Sequence, residues 1–108
     1  MKQIQAYIKK HKLNEVVRAL RKVKSITGLS VINRRGFGRG WVMDSLTEPE
    51  SWTGVKLEIF CSDDVVDGVV TTIEQAAHTG LKGDGKIYIS SIEQAVRIST
   101  GERDEAAV

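Results

Sequence analysis

Residues 55–89 decide the fold. Val55-Lys56-Leu57-Glu58-Ile59-Phe60 alternates apolar and polar side chains, which predicts a strand with one buried face. Beyond it, Val65, Val66, Val69, Val70, Ile73, Ala76 and Ala77 fall on one stripe at helical spacing. A helix is therefore expected, capped by Ser62 or Asp63 and ended by Gly80. After the turn Lys82-Gly83-Asp84-Gly85, the run Lys86-Ile87-Tyr88-Ile89 is a further strand. The segment is one strand–helix–strand unit.

The same unit stands upstream. Ile4, Ala6 and Ile8 alternate with Gln3, Gln5 and Tyr7, predicting a half-buried strand over 2–8. Leu13, Val16, Val17, Leu20 and Val23 predict an amphipathic helix over about 12–24 with a Lys/Arg-rich outer face. Thr27-Gly28 turns the chain into a strand from Leu29 to Arg35. Residues 36–54, with Gly36, Gly38, Gly40, Pro49 and Gly54, read as a long loop. Val96-Arg97-Ile98 is one more short extended piece before a polar, acidic tail. The order β-α-β, loop, β-α-β defines an α+β, ferredoxin-like βαββαβ sandwich, with an antiparallel sheet and both helices on one face. The other face is expected to be bare and apolar, and a homotrimer is expected to hide it.

At 108 residues there is room for one domain, spanning 1–108, which argues against a two-domain enzyme with a cleft between domains. A hydrophobic content of 41% with 28% charged residues excludes intrinsic disorder. No apolar run is long enough for a membrane span, and Met1–Lys9 has no apolar core of a signal peptide, so a cytoplasmic location is expected. The single cysteine, Cys61, excludes an internal disulfide framework and a cysteine-built zinc site; it reads as a small buried filler. Charge is uneven. Residues 1–43 carry eleven Lys and Arg against Glu15 alone, and the rest carries thirteen acids against five bases. A phosphate or nucleic-acid partner fits that asymmetry, and so do basic and acidic segments facing each other within the fold or across a subunit contact.

Three stretches can carry chemistry. In Gly36-Phe37-Gly38-Arg39-Gly40, small residues let backbone amides approach a ligand beside an arginine. Gly83-Asp84-Gly85-Lys86 is a tight turn with exposed N–H groups and an adjacent lysine, which suits phosphate oxygens or, more plainly, makes a hairpin. Arg97 emerges from a short strand before Thr100-Gly101-Glu102. Neither glycine stretch has Walker A or dinucleotide-binding spacing. Catalysis is not indicated. His11 and His78 have no ligand-type partner at helical spacing, and Asp63-Asp64 suits a helix start. The strands lack the aromatic platform of RNA-recognition domains.

Together these stretches resemble one family over nearly the whole chain: the PII signal-transduction proteins. The resemblance rests on Ile26-Thr27-Gly28, Arg35-Gly36-Phe37-Gly38-Arg39, Val55-Lys56-Leu57-Glu58-Ile59, Asp63-Asp64-Val65-Val66-Asp67, Thr79-Gly80, Gly83-Asp84-Gly85-Lys86-Ile87 and Val96-Arg97-Ile98 through Thr100-Gly101-Glu102. It implies a homotrimer with adenine-nucleotide sites in the clefts between subunits. It also implies a protruding T-loop, about 37–54 here, that docks on a transporter or an enzyme, and a C-terminal tail at about 99–108. By position, Gly83, Asp84, Gly85 and Lys86 hold phosphates, with Arg97 beside them. Gly36, Gly38 and Arg39 approach from the other side of the cleft, and Ser30, Glu58 and Phe60 line the adenine and ribose.

The sequence also departs from the family pattern. Gly40 stands where the family's nitrogen sensors place a glutamine that helps hold magnesium and 2-oxoglutarate. Ser99 replaces the family's second phosphate arginine. The loop is shorter than usual, has no tyrosine for uridylylation, and carries Trp41, Trp52, Met43, Asp44, Glu48 and Glu50. The chain thus resembles a divergent, PII-like regulator without enzymatic activity or a catalytic cofactor. It is expected to answer to ADP or AMP more than ATP, with bicarbonate as a possible second ligand in a carbon-uptake or carboxysome setting. The alternative is a trimeric metal-tolerance or structural protein of the same fold with an unused cleft. Nucleic-acid binding through the basic half is a third.

Overall fold

The computed structural model describes residues 1–36 and 53–108. Its elements are β1 (Lys2–Ile8), α1 (Leu13–Leu20), β2 (Ser30–Arg35), β3 (Thr53–Cys61), α2 (Val66–Ala77) and β4 (Gly85–Ser91). The four strands form one antiparallel sheet in the order β2-β3-β1-β4. With both helices on one face, this is the ferredoxin-like α+β arrangement expected.

Period-two alternation sets the register. Ile4, Ala6 and Ile8 of β1 sit opposite Ile59, Leu57 and Val55 of β3, so all six point to the helix side. There they meet Val16 and Leu20 of α1 and Val66, Val69, Ile73 and Ala77 of α2 in one buried cluster. Each fully buried aliphatic side chain contributes about 1.5–3 kcal/mol, whereas an exposed ion pair contributes about 0–1, so this cluster dominates stability. Cys61 closes its end, 1% exposed, and burial pushes its thiol pKa up. It is the small buried filler anticipated.

Several boundaries differ from expectation. The first helix is shorter than 12–24: Lys10–Lys12 is a 3-10 turn, and α1 ends at Leu20. Beyond it the chain coils through i→i+3 bonds from Lys22 to Ala19, Val23 to Leu20 and Ile26 to Val23, which keeps Val23 on the core without continuing the helix. Strand β3 begins at Thr53, because Thr53 and Gly54 pair with Arg35 and Arg34. The C-terminal end of the anticipated loop is therefore sheet. Ser62 makes no side-chain cap to α2, which opens through a 3-10 turn at Asp63–Val65. Asp63 instead accepts a hydrogen bond from the Met1 ammonium at 2.7 Å, with Glu105 at 3.4 Å. Val96 forms only an isolated bridge to Arg103, and the tail contains a 3-10 turn at Asp104–Ala107.

One expectation is overturned. The sheet face away from the helices is not bare and apolar. The register places Gln3, Gln5 and Tyr7 there with Ser30, Ile32, Arg34, Lys56, Glu58, Phe60, Lys86, Tyr88 and Ser90. Glu58 pairs with Lys56 at 3.2 Å and accepts from Gln3 Nε2 at 3.5 Å. The alternation that buries one face fills the other with polar and aromatic side chains.

Candidate functional site

The best-formed local structure outside the core is the turn 79–86. Gly83 and Gly85 have φ of +83° and +106°, the left-handed region that glycine enters without cost. Gly85 has a second constraint, since a Cβ there would overlap the Tyr7 carbonyl oxygen. Asp84 holds the turn from inside. Its carboxylate accepts from the Thr79 and Gly80 backbone amides at 2.8 and 3.1 Å and from the Thr79 hydroxyl. Lys9 Nζ, reaching from the end of β1, lies 3.2 Å away. The Thr79 hydrogen bonds, with Lys9 and Gly80 assisting, hold the Asp84 carboxyl well below the usual carboxylate range.

This arrangement alters the part given to Asp84. Its oxygens face the loop's own amides, so it shapes the turn and is committed within it. Sequence reading missed Lys9 and Thr79, whose signal is long-range: Lys9 is brought to Asp84 only by pairing of β1 with β4. With Asp84 committed, Lys86 has no carboxylate partner among the described residues. A cavity of about 360 Å³ opens beside it, lined by Tyr7, Glu74, His78, Asp84, Gly85 and Lys86 among others.

The remaining candidates divide into groups. Ser30 and Glu58 are direct cross-strand partners, and Phe60 lies two residues along the same face, 47% exposed. The three therefore form one patch on the open sheet. Gly36 directly follows β2, and a Cβ there would meet Arg34 Nη1 at 2.5 Å. Gly38 and Arg39 lie outside the described residues, as do Phe37, Gly40 and the tryptophans Trp41 and Trp52. Arg97 stands apart. Its backbone N–H donates to Glu102 at 2.9 Å and its Nε lies 3.9 Å from the Glu102 carboxylate, within a hairpin joined at Ala95 and Asp104. That hairpin is tied to the Met1 end of β1, whereas Lys86 is level with Tyr7, about 17 Å away along the strand. A single chain does not bring Arg97 to Lys86.

Among the described residues no group of His, Cys, Asp and Glu is arranged to hold a metal ion, and no helix is long and apolar enough to cross a membrane. Four antiparallel strands under two helices, with a glycine turn opening the edge strand β4, define a small ferredoxin-like α+β domain, a fold that by itself assigns no function. A family model described as Nitrogen regulatory protein P-II matches residues 1–102. The chain belongs to this P-II family of regulatory signal-transduction proteins. Proteins named Nitrogen regulatory protein P-II from Rhodobacter capsulatus and Azospirillum brasilense are 44% and 40% identical to it. Nitrogen regulatory protein P-II 1 of Escherichia coli strain K12 is 41% identical. Each match covers the whole of both chains.

Proposed function

We propose that this chain acts as a homotrimer that binds an adenine nucleotide between subunits and regulates a transporter or enzyme through the segment 37–54. The observation that carries this reading is the turn 79–86, where Gly85 admits no side chain, Asp84 is consumed internally and Lys86 has no carboxylate partner among the described residues. A purely structural hairpin has no need of an unneutralised lysine beside a cavity. Backbone amides and a lysine suit a phosphate chain. The separation of Arg97 from Lys86 supports a site completed by a neighbouring subunit, since both cations reach one ligand only if different copies supply them.

The ligand in this reading is ADP or AMP in preference to ATP, because Ser99 offers no charge for a further phosphate. Gly40 has no side-chain atom to ligate magnesium, so carbon or bicarbonate signalling, in the cytoplasm, fits better than the nitrogen regulation named for the relatives. Calorimetric titration of AMP, ADP and ATP into the wild type and Lys86→Ala, with and without bicarbonate, tests the proposal. A charge-assisted phosphate contact is worth about 1.5–3 kcal/mol, so Lys86→Ala is expected to bind about tenfold more weakly or worse. Equal affinity of the two proteins would remove the phosphate role of the turn.

A further inference from the structure

The end of β1 lends the glycine turn a cation that no local sequence pattern announces. Lys9 directly follows β1, and its Nζ lies 3.2 Å from Asp84 Oδ1 and donates to the Thr79 hydroxyl oxygen at 3.2 Å. Its stem lies along the turn, with Cε 3.9 Å from where a Cβ on Gly83 would stand. Both side chains of the pair are largely covered, Lys9 being 22% and Asp84 24% exposed. The Thr79 hydroxyl is saturated, since it donates to Asp84 and accepts from Lys9 and from the Leu81 amide at 3.1 Å. His78 Nδ1 stands 3.5 Å from Asp84 Oδ2, but that ring is 70% exposed and is a cation only when protonated. Lys9 is the cation on which Asp84 depends.

A carboxylate has about four acceptor sites, and in Asp84 all are taken. Oδ1 accepts from Lys9 and the Thr79 hydroxyl, and Oδ2 from the Thr79 and Gly80 amides. The consequence falls on Lys86. Asp84 and Lys86 line the same cavity, one on each side of Gly85. An uncommitted carboxylate in that place would draw the lysine to itself and repel any anion brought to the turn. Asp84 does neither, because it is turned toward the end of β1.

We infer that Lys9 is a positioning residue for the anion site: by occupying and neutralising Asp84, it keeps that carboxylate off Lys86 and leaves the turn attractive to a phosphate. The inference rests on the nucleotide reading above and adds to it a residue that acts without touching the ligand. Removal of the Lys9 ammonium frees one acceptor site on Oδ1 and leaves a full negative charge lining the cavity that the phosphate enters.

The experiment is calorimetric titration of ADP into wild type, Lys9→Arg, Lys9→Met, Asp84→Asn and the double variant Lys9→Met/Asp84→Asn, each below its own thermal unfolding transition. Lys86→Ala is run beside them. Lys9→Met is expected to weaken ADP about tenfold or more, the scale of a lost charge-assisted phosphate contact. Lys9→Arg keeps the cation and is expected to stay within about threefold of wild type. Binding by Lys9→Arg as weak as by Lys9→Met would overturn the inference, because charge would then not be what Lys9 supplies. The double-mutant cycle isolates the route through Asp84. With Asn at position 84 there is no carboxylate charge to restrain, so adding Lys9→Met is expected to change ADP affinity by less than about threefold. An equal loss in both backgrounds would mean that Lys9 acts on the fold and not through Asp84, and the inference falls. It falls alone, too, if Lys86→Ala weakens ADP and Lys9→Met does not. If the wild type takes up no ADP, or Lys86→Ala binds it equally well, the nucleotide reading fails and takes this one with it.

Discussion

Asp84 and Gly85 set the geometry of the candidate site from opposite directions, one by bonds and the other by absence. Gly85→Ala puts a methyl group into the Tyr7 carbonyl at a backbone angle that L residues rarely adopt. A loss of about 2 kcal/mol or more is expected in denaturant unfolding, with β4 pairing weakened at its start. Asp84→Asn tests the bonds. The folded carboxyl titrates below its unfolded value of about 4, so its stabilisation is fully present above that pH and fades as pH falls through the folded pKa. Wild type is therefore expected to unfold at higher urea than Asp84→Asn at pH 7, with the gap closing in strong acid. A constant gap between pH 7 and pH 2 would assign the stabilisation to shape alone. Gly83 and Gly85 were legible as turn residues from sequence. The commitment of Asp84 was not, because its Lys9 partner is 75 positions away and its Thr79 partner lies across the turn.

Helix α2 carries its own test. Val69 and Ile73 are fully buried, and the stripe read from sequence is the stripe that packs, with Val65, Val70 and Ala76 at its margin. Gly68 lies within that helix, and a Cβ there meets nothing within 4 Å. Glycine in a helix interior costs about 0.5–1 kcal/mol relative to alanine, so Gly68→Ala is expected to raise the unfolding free energy by that amount, with a higher midpoint. A lowered midpoint would mean that another copy of the chain packs on that position. The helix ends were less legible. Side-chain periodicity carries α1 to residue 24, but the backbone bonds after Arg21 are i→i+3, and no hydrophobic pattern distinguishes the two over one turn.

For the whole molecule, exposed apolar groups outside the core are the guide to assembly. Ile98 is 99% exposed on the C-terminal hairpin, Val96 48% on the same hairpin, and Leu81 73% beside the glycine turn. The open sheet face also exposes Ile32, Phe60 and Tyr88 among its polar side chains, so that face and these sites together are the expected seams of a trimer. Ile98→Asp is expected to shift light scattering from a trimer toward a monomer, because an aspartate there would be desolvated without a partner. A trimer of unchanged mass and stability would place the seam elsewhere.

Alternation in β1 and β3, the stripe of α2 and the glycine turns determined the element order, the helix-covered face and the α+β class, since each is a local pattern with its own period. Boundaries within a turn of helix, the mixed polar and aromatic character of the open face, the Lys9–Asp84 lock and the placing of Arg34 over the Tyr7 ring, 5.2 Å from its centroid, were decided only by tertiary structure. Each depends on which strand lies beside which, and that register is a property of the assembled sheet.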